Sequence, residues 1–462
     1  MAKRVRATKA RRVRDQLAEN PASMFDVALS KHEVDETCRF LLHVWRDRLF
    51  TPMVTLWTFL VQVLTVDASC NAAVMKVLSF LSVTKGLVAS HDGSAYCRAR
   101  KRLPLELLVR LTKTIAQRLA ANVPQEALWH GHRIKLVDGS TVSMPDTPAN
   151  QGAYPQPNTQ KPGCGFPKAR VVGVFDLLTG AVLDLAMSSL HVGEPALFRR
   201  LWDGLSPGDV AVADRYYSSY ADIALLQERG VLGIWRLHQC RKGDFRKGTR
   251  LGPDDRLVTW KKPHRPRWLS KTDYDALPKT LSVRLVRVRC TVPGWRAETV
   301  VVATTLLDPK LYSAQDVAAL YLRRWEVETD FAHLMTTLHT GVLRTKSPDM
   351  IERELWAHLL AYNLIRTVMW EAASRRGIEP LRLSLKGAVD EFVSVWPYSA
   401  TATNGAALQG FYDSLLYYVG RRVIPHRPGR SEPRVRKRHP KSYPAMTVPR
   451  SQCRKTPRKR KP

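Results

Sequence analysis

The sequence lacks paired cysteines, any long apolar run, and almost all acid at its two ends. Its seven cysteines (Cys38, Cys70, Cys97, Cys164, Cys240, Cys290 and Cys453) are scattered, with no Cys-x-x-Cys pair and no Cys/His cluster at zinc spacing. That excludes a disulfide framework and a structural zinc site, and suits a reducing compartment. The longest apolar run, Thr51 to Val66, is short for a membrane span and contains Gln62, so it reads as a core helix. The basic N-terminus has no apolar stretch of the kind a secretory leader needs. A soluble, cytoplasmic protein with no membrane partner is expected. The first fourteen residues carry seven Lys or Arg and no acid, and residues 421–462 carry sixteen with Glu432 as the single acid.

What is abundant is positive charge. In 462 residues, 73 Lys and Arg stand against 41 Asp and Glu, a net charge of +32. Such a balance points to a polyanion, because each phosphate neutralised by a cation releases counterions. Charge alone does not separate an enzyme from a passive binder. The apolar fraction of 44% is that of a globular chain with a sizeable core.

Periodicity divides the chain into six segments. Residues 1–33 form a basic arm. Residues 34–125 are helical in pattern, with apolar residues three and four apart in Phe40, Leu41, Val44 and Trp45 and again in Leu105, Leu108, Val109 and Leu111. Between those stretches Arg98, Arg100, Lys101 and Arg102 form a basic patch beside Tyr96, which suits either a DNA-reading helix or a solvated face. Residues 126–238 read strand, strand, strand, helix, strand, helix, strand, the order of an RNase H-like α/β core with a mixed sheet. Residues 239–308 lose helical periodicity and read as a β-rich insertion. Its Trp260, Trp268 and Trp295 lie among basic residues and suit either base stacking or a small core. Residues 309–420 return to helices. One is expected to start at Ser313, in a sequence resembling a capping box with Asp316, and to run on through Leu338; another spans about 348 to 373. Residues 421–462 form a basic, Pro-rich tail poor in apolar residues, which should not fold alone.

Three carboxylates stand out by position. Asp138 and Asp214 each fall at or just past the expected end of a strand, where α/β sheets build sites. Glu328 falls mid-helix, with Tyr321 and Arg324 seven and four residues before it and on one face at ~100° per residue. Three such groups are what a pair of Mg²⁺ ions, or Mn²⁺ in their place, requires for in-line phosphoryl transfer. Arg324 would face a phosphate as a charge-assisted donor, and Tyr321 would hold that phosphate or orient the glutamate.

On these residues the chain resembles the insertion-sequence-4 family of DDE cut-and-paste DNA transposases. The carrying motifs are Val137-Asp-Gly-Ser-Thr141, Ala213-Asp-Arg-Tyr216 and Tyr321-Leu-Arg-Arg-Trp-Glu-Val-Glu328. The resemblance runs from about residue 35 to about 450. It implies a nucleoid-associated bacterial enzyme that binds the terminal inverted repeats of its own element and pairs two ends in a homodimeric synaptic complex. It further implies cleavage to free a 3′-hydroxyl, through hairpin ends in well-studied relatives, and joining to target DNA. It makes Arg215 and Tyr217 candidate helpers at the hairpin step. The family's lysine seven residues beyond the glutamate is Met335 here, with Lys346 as a candidate substitute. Two alternatives remain open: a nuclease that cuts without joining, and an inactive or repurposed transposase that only binds DNA.

Overall fold

The computed structural model describes residues 29–45, 48–65, 69–85, 92–241, 243–289, 299–401, 405–425, 446–449 and 452. The N-terminal arm before residue 29, most of the basic tail and Trp295 lie outside the described residues. The described residues fall into two compact units. One lies within Met1–Val123, Leu178–Leu183 and Phe331–Ile424, the other within Pro124–Leu177, Asp184–Asp330 and Pro425–Pro462.

The first unit is helical. Pro52–Leu64 is buried along almost its whole length, which is why its sequence is apolar all round rather than striped. It starts at Thr51, whose hydroxyl accepts from the Val54 amide. Helix Leu105–Ala121 turns Leu107, Leu108, Leu111, Ile115 and Leu119 inward and packs on the 29-residue helix Pro348–Arg376, which ends on Gly377 at φ 62°. The helical segment anticipated for residues 34–125 therefore packs together with the C-terminal helices. Asn363 ties that interior together: its amide donates to the Thr112 carbonyl at 3.2 Å and to the Val182 carbonyl at 2.9 Å. No helix among the described residues is long and apolar enough to cross a membrane.

The second unit is built on a nine-stranded sheet in the order β3-β2-β1-β4-β5-β9-β8-β7-β6. The strands are β1 Ile134–Ser143, β2 Lys168–Asp176, β3 Val182–Ser189, β4 Val210–Ala213, β5 Leu232–Arg236, β6 Thr249–Gly252, β7 Asp255–Lys261, β8 Thr280–Arg289 and β9 Thr299–Thr304. β1 runs antiparallel to β2 and parallel to β4, and β4 runs parallel to β5. That is the mixed, RNase H-like arrangement expected from the strand order. β4 is Val-Ala-Val-Ala, with every residue fully buried, as a strand covered on both faces must be. Each buried valine there contributes about 1.5–3 kcal/mol. Lys135 is buried in β1 between Asp176 and Asp209, 3.9 and 4.0 Å from their carboxylates, so its charge is compensated.

The insertion does not form a separate sheet. β9 pairs antiparallel with β5 and carries β8, β7 and β6 outward from it, extending the core sheet at one edge. Trp260 is buried under the Arg241 guanidinium at 3.8 Å, and Trp268 is 42% exposed beneath Arg199 at 3.5 Å. Of the two, Trp268 is the one exposed to solvent.

The helix expected from Ser313 to Leu338 is broken. Ser313 does close a capping box with Asp316, each side chain taking the other's backbone N–H. The helix Ala314–Leu322 then stops, and a second one, Trp325–Ala332, begins after Arg323 and Arg324. At the junction the Glu326 and Val327 amides donate three residues back, a tighter step than the α-helix allows. A π turn, His333–Thr337, follows and contains Met335.

Candidate active site

The sheet register assembles the two aspartates. The parallel β1–β4 ladder ends on the pair Val137 and Ala213, so Asp138 and Asp214 are the next residues on neighbouring strands. Asp214 leaves β4 and opens a single 3₁₀ turn, Arg215–Tyr217. Asp138 does not end its strand, contrary to the sequence expectation. β1 continues through Ser143 against β2, with Asp138 opposite Gly173. β2 carries the ladder past the point where β4 stops.

Asp138 is held closely. Its Oδ1 accepts from the Gly139 amide at 2.8 Å, and its Oδ2 lies 3.7 Å from Nη1 of Arg324. Burial pushes its carboxyl up to about 6, against the pull of the Gly139 hydrogen bond and Arg324 and with added repulsion from Glu328 and Glu194. Nη2 of Arg324 donates to Glu328 Oε1 at 2.9 Å. One guanidinium, only 8% exposed, thus spans the first aspartate and the glutamate. Its Nε is buried with no hydrogen-bond partner. The Arg324 side chain also lies over Trp325 at 5.2 Å.

Tyr321 is buried, its hydroxyl pushed up to about 12 by burial, next to Arg324, Asp214 and Arg236. It stands at the end of the first helix while Glu328 stands on the second, so the face shared by Tyr321, Arg324 and Glu328 is made by a break and not by one continuous helix. Arg215 lies 4.0 Å from the Asp214 carboxylate and donates to Gln239 at 3.2 Å.

Tyr217 departs from its expected role at the DNA. It is 1% exposed, packs edge-on against Phe198 and donates its hydroxyl to Glu194 Oε2 at 3.2 Å. Burial and then Glu194 raise its pKa far above that of an ordinary tyrosine. Glu194 itself was not singled out in the sequence. The signal available was indirect: a glycine directly after Asp138, which marks a place where something approaches the backbone closely.

In the other unit the basic patch divides. Arg98, Lys101 and Arg102 are exposed on the helix Ser94–Arg102. Arg100 turns inward, contrary to expectation, donating to Gln62 Oε1 at 2.9 Å and lying over the Phe59 ring at 5.0 Å. Tyr96 is fully buried and donates to the same Gln62 oxygen at 2.7 Å. Lys346 is exposed just before the long helix Pro348–Arg376.

Carboxylate oxygens are the donors that a hard divalent cation takes, and Asp138, Asp214 and Glu328 supply them. Among the described residues, no three Asp, Glu, His or Cys side chains converge tightly enough to hold an ion as they stand. Arg324 occupies the space between two of the three, as a counter-charge. The donor set fits such a cation in kind.

Comparison with known proteins identifies the family. Residues 129–364, just over half of the chain and including all three carboxylates, match the family model described as a transposase DDE domain. The transposase InsG of insertion sequence element IS4 from Escherichia coli strain K12 is 26% identical over 355 residues, covering 76% of this chain and 78% of that one. The transposase of insertion sequence element IS421 from Escherichia coli is 38% identical over 69 residues, 15% of this chain and 19% of that one. Among solved structures, a piggyBac transposase synaptic complex with hairpin DNA matches over 79% of this chain and 78% of that one. With a TM-score of 0.36 and 10% identity, that likeness carries no argument. The chain belongs to the DDE-domain transposases of insertion sequences and is similar to the IS4 enzyme.

Proposed function

We propose that the protein cleaves the ends of its own insertion sequence and joins the freed 3′-hydroxyls to target DNA, with Asp138, Asp214 and Glu328 holding two Mg²⁺ ions. The observation that carries this reading is the register that sets Asp138 beside Asp214, with Arg324 linking Asp138 to Glu328. Bound divalent ions supply a lowered pKa for the attacking water or hydroxyl and charge stabilisation of the leaving oxygen. The residues of the chain do the rest. Asp138 is oriented by the Gly139 amide, so one carboxylate oxygen is fixed and the other is left to the site. Arg324 is the cation that a phosphate entering between Asp138 and Glu328 would meet. Tyr321, buried next to Arg324, is the candidate to hold that phosphate or to orient the glutamate. Arg215 is the candidate contact for the opposite strand at the second aspartate.

Arg98, Lys101, Arg102 and Lys346 are proposed DNA contacts, through phosphates rather than base edges. A pair of ends requires two copies of the site, so the working form is proposed to be a homodimer on terminal inverted repeats. Met335, standing where relatives carry lysine, favours a second reading: a decayed enzyme that binds ends without cutting them.

The test is a labelled duplex carrying the flanked end of the element, with Mg²⁺, wild type beside Asp138→Asn and Glu328→Gln. Nicked or hairpin products from the wild type alone support the proposal, and hairpins identify the route. Binding with no product in Mg²⁺ or Mn²⁺ sinks it in favour of the second reading, and Met335→Lys is then the first reversion to try.

A further inference from the structure

A fourth carboxylate stands against the residue that follows Asp138. Glu194 begins the short helix Glu194–Arg199 after β3, far in sequence from the motif residues. Its side chain lies on the β1 backbone beside Asp138. A Cβ built on Gly139 would stand 2.6 Å from Glu194 Cδ and 2.9 Å from its Oε1, so a larger residue there would push the Glu194 carboxylate aside. Gly139 is not among the glycines with positive φ, so space and not backbone conformation is what the residue supplies there.

Glu194 is held in that place from two sides. Tyr217, itself buried, donates to Oε2 at 3.2 Å. Arg170 of β2 stands 3.9 Å from Oε1, and is anchored by donating to the Leu190 and Val192 carbonyls at 3.1 and 2.7 Å. A carboxylate so constrained beside another carboxylate is repelled by it unless a cation lies near both. The cation present on the Asp138 side is Arg324, which is already committed to Glu328 and keeps its buried Nε unpartnered.

We propose that Glu194 is a fourth carboxylate of the cation-holding group, acting with Asp138 on the same ion, and that Gly139 and Tyr217 exist to seat it there. The inference rests on the reading of Asp138, Asp214 and Glu328 as ion ligands. It also gives the second residue of the Asp138-Gly139 motif a physical role: glycine admits the fourth carboxylate.

The test reads ion binding rather than turnover. Mn²⁺ is titrated into the full chain without DNA, and free Mn²⁺ is followed by its electron paramagnetic resonance signal. Glu194→Gln preserves shape and the acceptor for Tyr217, and should weaken Mn²⁺ binding by about tenfold or more. Gly139→Ala keeps every carboxylate but displaces Glu194, and should weaken it comparably. Asp138→Asn is the reference, and circular dichroism checks that each variant is folded. If Glu194→Gln and Gly139→Ala bind Mn²⁺ as the wild type does while Asp138→Asn does not, the role of Glu194 is refuted and the ion reading stands. If Asp138→Asn also binds like the wild type, both fall.

Discussion

Arg284 offers a sharp test of how the insertion supports the site. It is 0% exposed on β8, and every nitrogen of its guanidinium donates. Nε and Nη2 donate to Asp255 at 2.9 and 2.6 Å, and Nη1 donates to the Leu306 and Tyr312 carbonyls at 3.2 and 2.7 Å. Those two carbonyls bracket the loop that leads into the Tyr321 helix. Replacing Arg284 with Met leaves the Asp255 carboxylate buried without a partner, which costs about 3–5 kcal/mol. Two buried carbonyls also lose their donor, at about 1–3 kcal/mol each if no water replaces it. Total stability of a domain is about 5–15 kcal/mol, so the loss should be large. The assay is native-state amide hydrogen exchange of β8 and β9. At about 1.4 kcal/mol per decade, the charge loss alone should speed exchange there by about 10²- to 10⁴-fold. The double variant Arg284→Met with Asp255→Leu removes the stranded charge and should recover that part, leaving only the deficit of the two carbonyls. Less than a tenfold change in the single variant would refute the reasoning. So would a double variant no better protected than the single.

The remaining predictions are more direct. Arg324→Lys should keep the positive charge but lose the fork that spans Asp138 and Glu328, lowering cleavage at saturating Mg²⁺ by about tenfold or more; unchanged rates would show that the planar fork is not used. Alanine at Arg98, Lys101 and Arg102 should weaken DNA binding and flatten its salt dependence, by about one phosphate's worth per residue removed, with little change in melting temperature. Arg100→Ala should behave in the opposite way, destabilising the protein by about 1–3 kcal/mol through loss of the Gln62 hydrogen bond and the Phe59 contact; a pure DNA-binding defect would contradict its buried placement. His358 and His333 are lowered to about 3 and about 4, in both cases mainly by burial, with His339 and Arg344 adding to the effect on His358 and Arg366 to that on His333. Both are neutral when folded and take up protons on unfolding below the usual histidine range. Stability should therefore be full above about pH 6.5 and fall as pH drops toward 4 and then 3, by about 1.4 kcal/mol per unit for each histidine. Urea midpoints at pH 7 and pH 5 measure this, and an identical slope in His358→Leu would remove that residue from the account.

Much was legible in the chain because it is local. The strand and helix order around Asp138 and Asp214 follows from short β-branched and apolar runs, and the capping box at Ser313 from two residues three apart. The basic composition indicated the kind of partner, and the motifs indicated the family. The pairing of β1 with β4 turned two scattered aspartates into neighbours, and no periodicity shows which strands will be adjacent. The break at Arg323–Arg324 was hidden because good helix formers fill those positions; the packing of the two segments, not propensity, ends the first helix. Arg100 and Arg98 look alike in sequence, yet Gln62, thirty-eight residues away from Arg100, draws one of them inside. Glu194 is one acid among 41 in the sequence. It becomes a candidate for the site only because β2 and the Arg215–Tyr217 turn press it onto Gly139. Local sequence determined the elements and the ionisable groups they carry. Which of those groups came to face one another was decided by long-range packing, where a neighbour's identity depends on register and burial across the whole sheet.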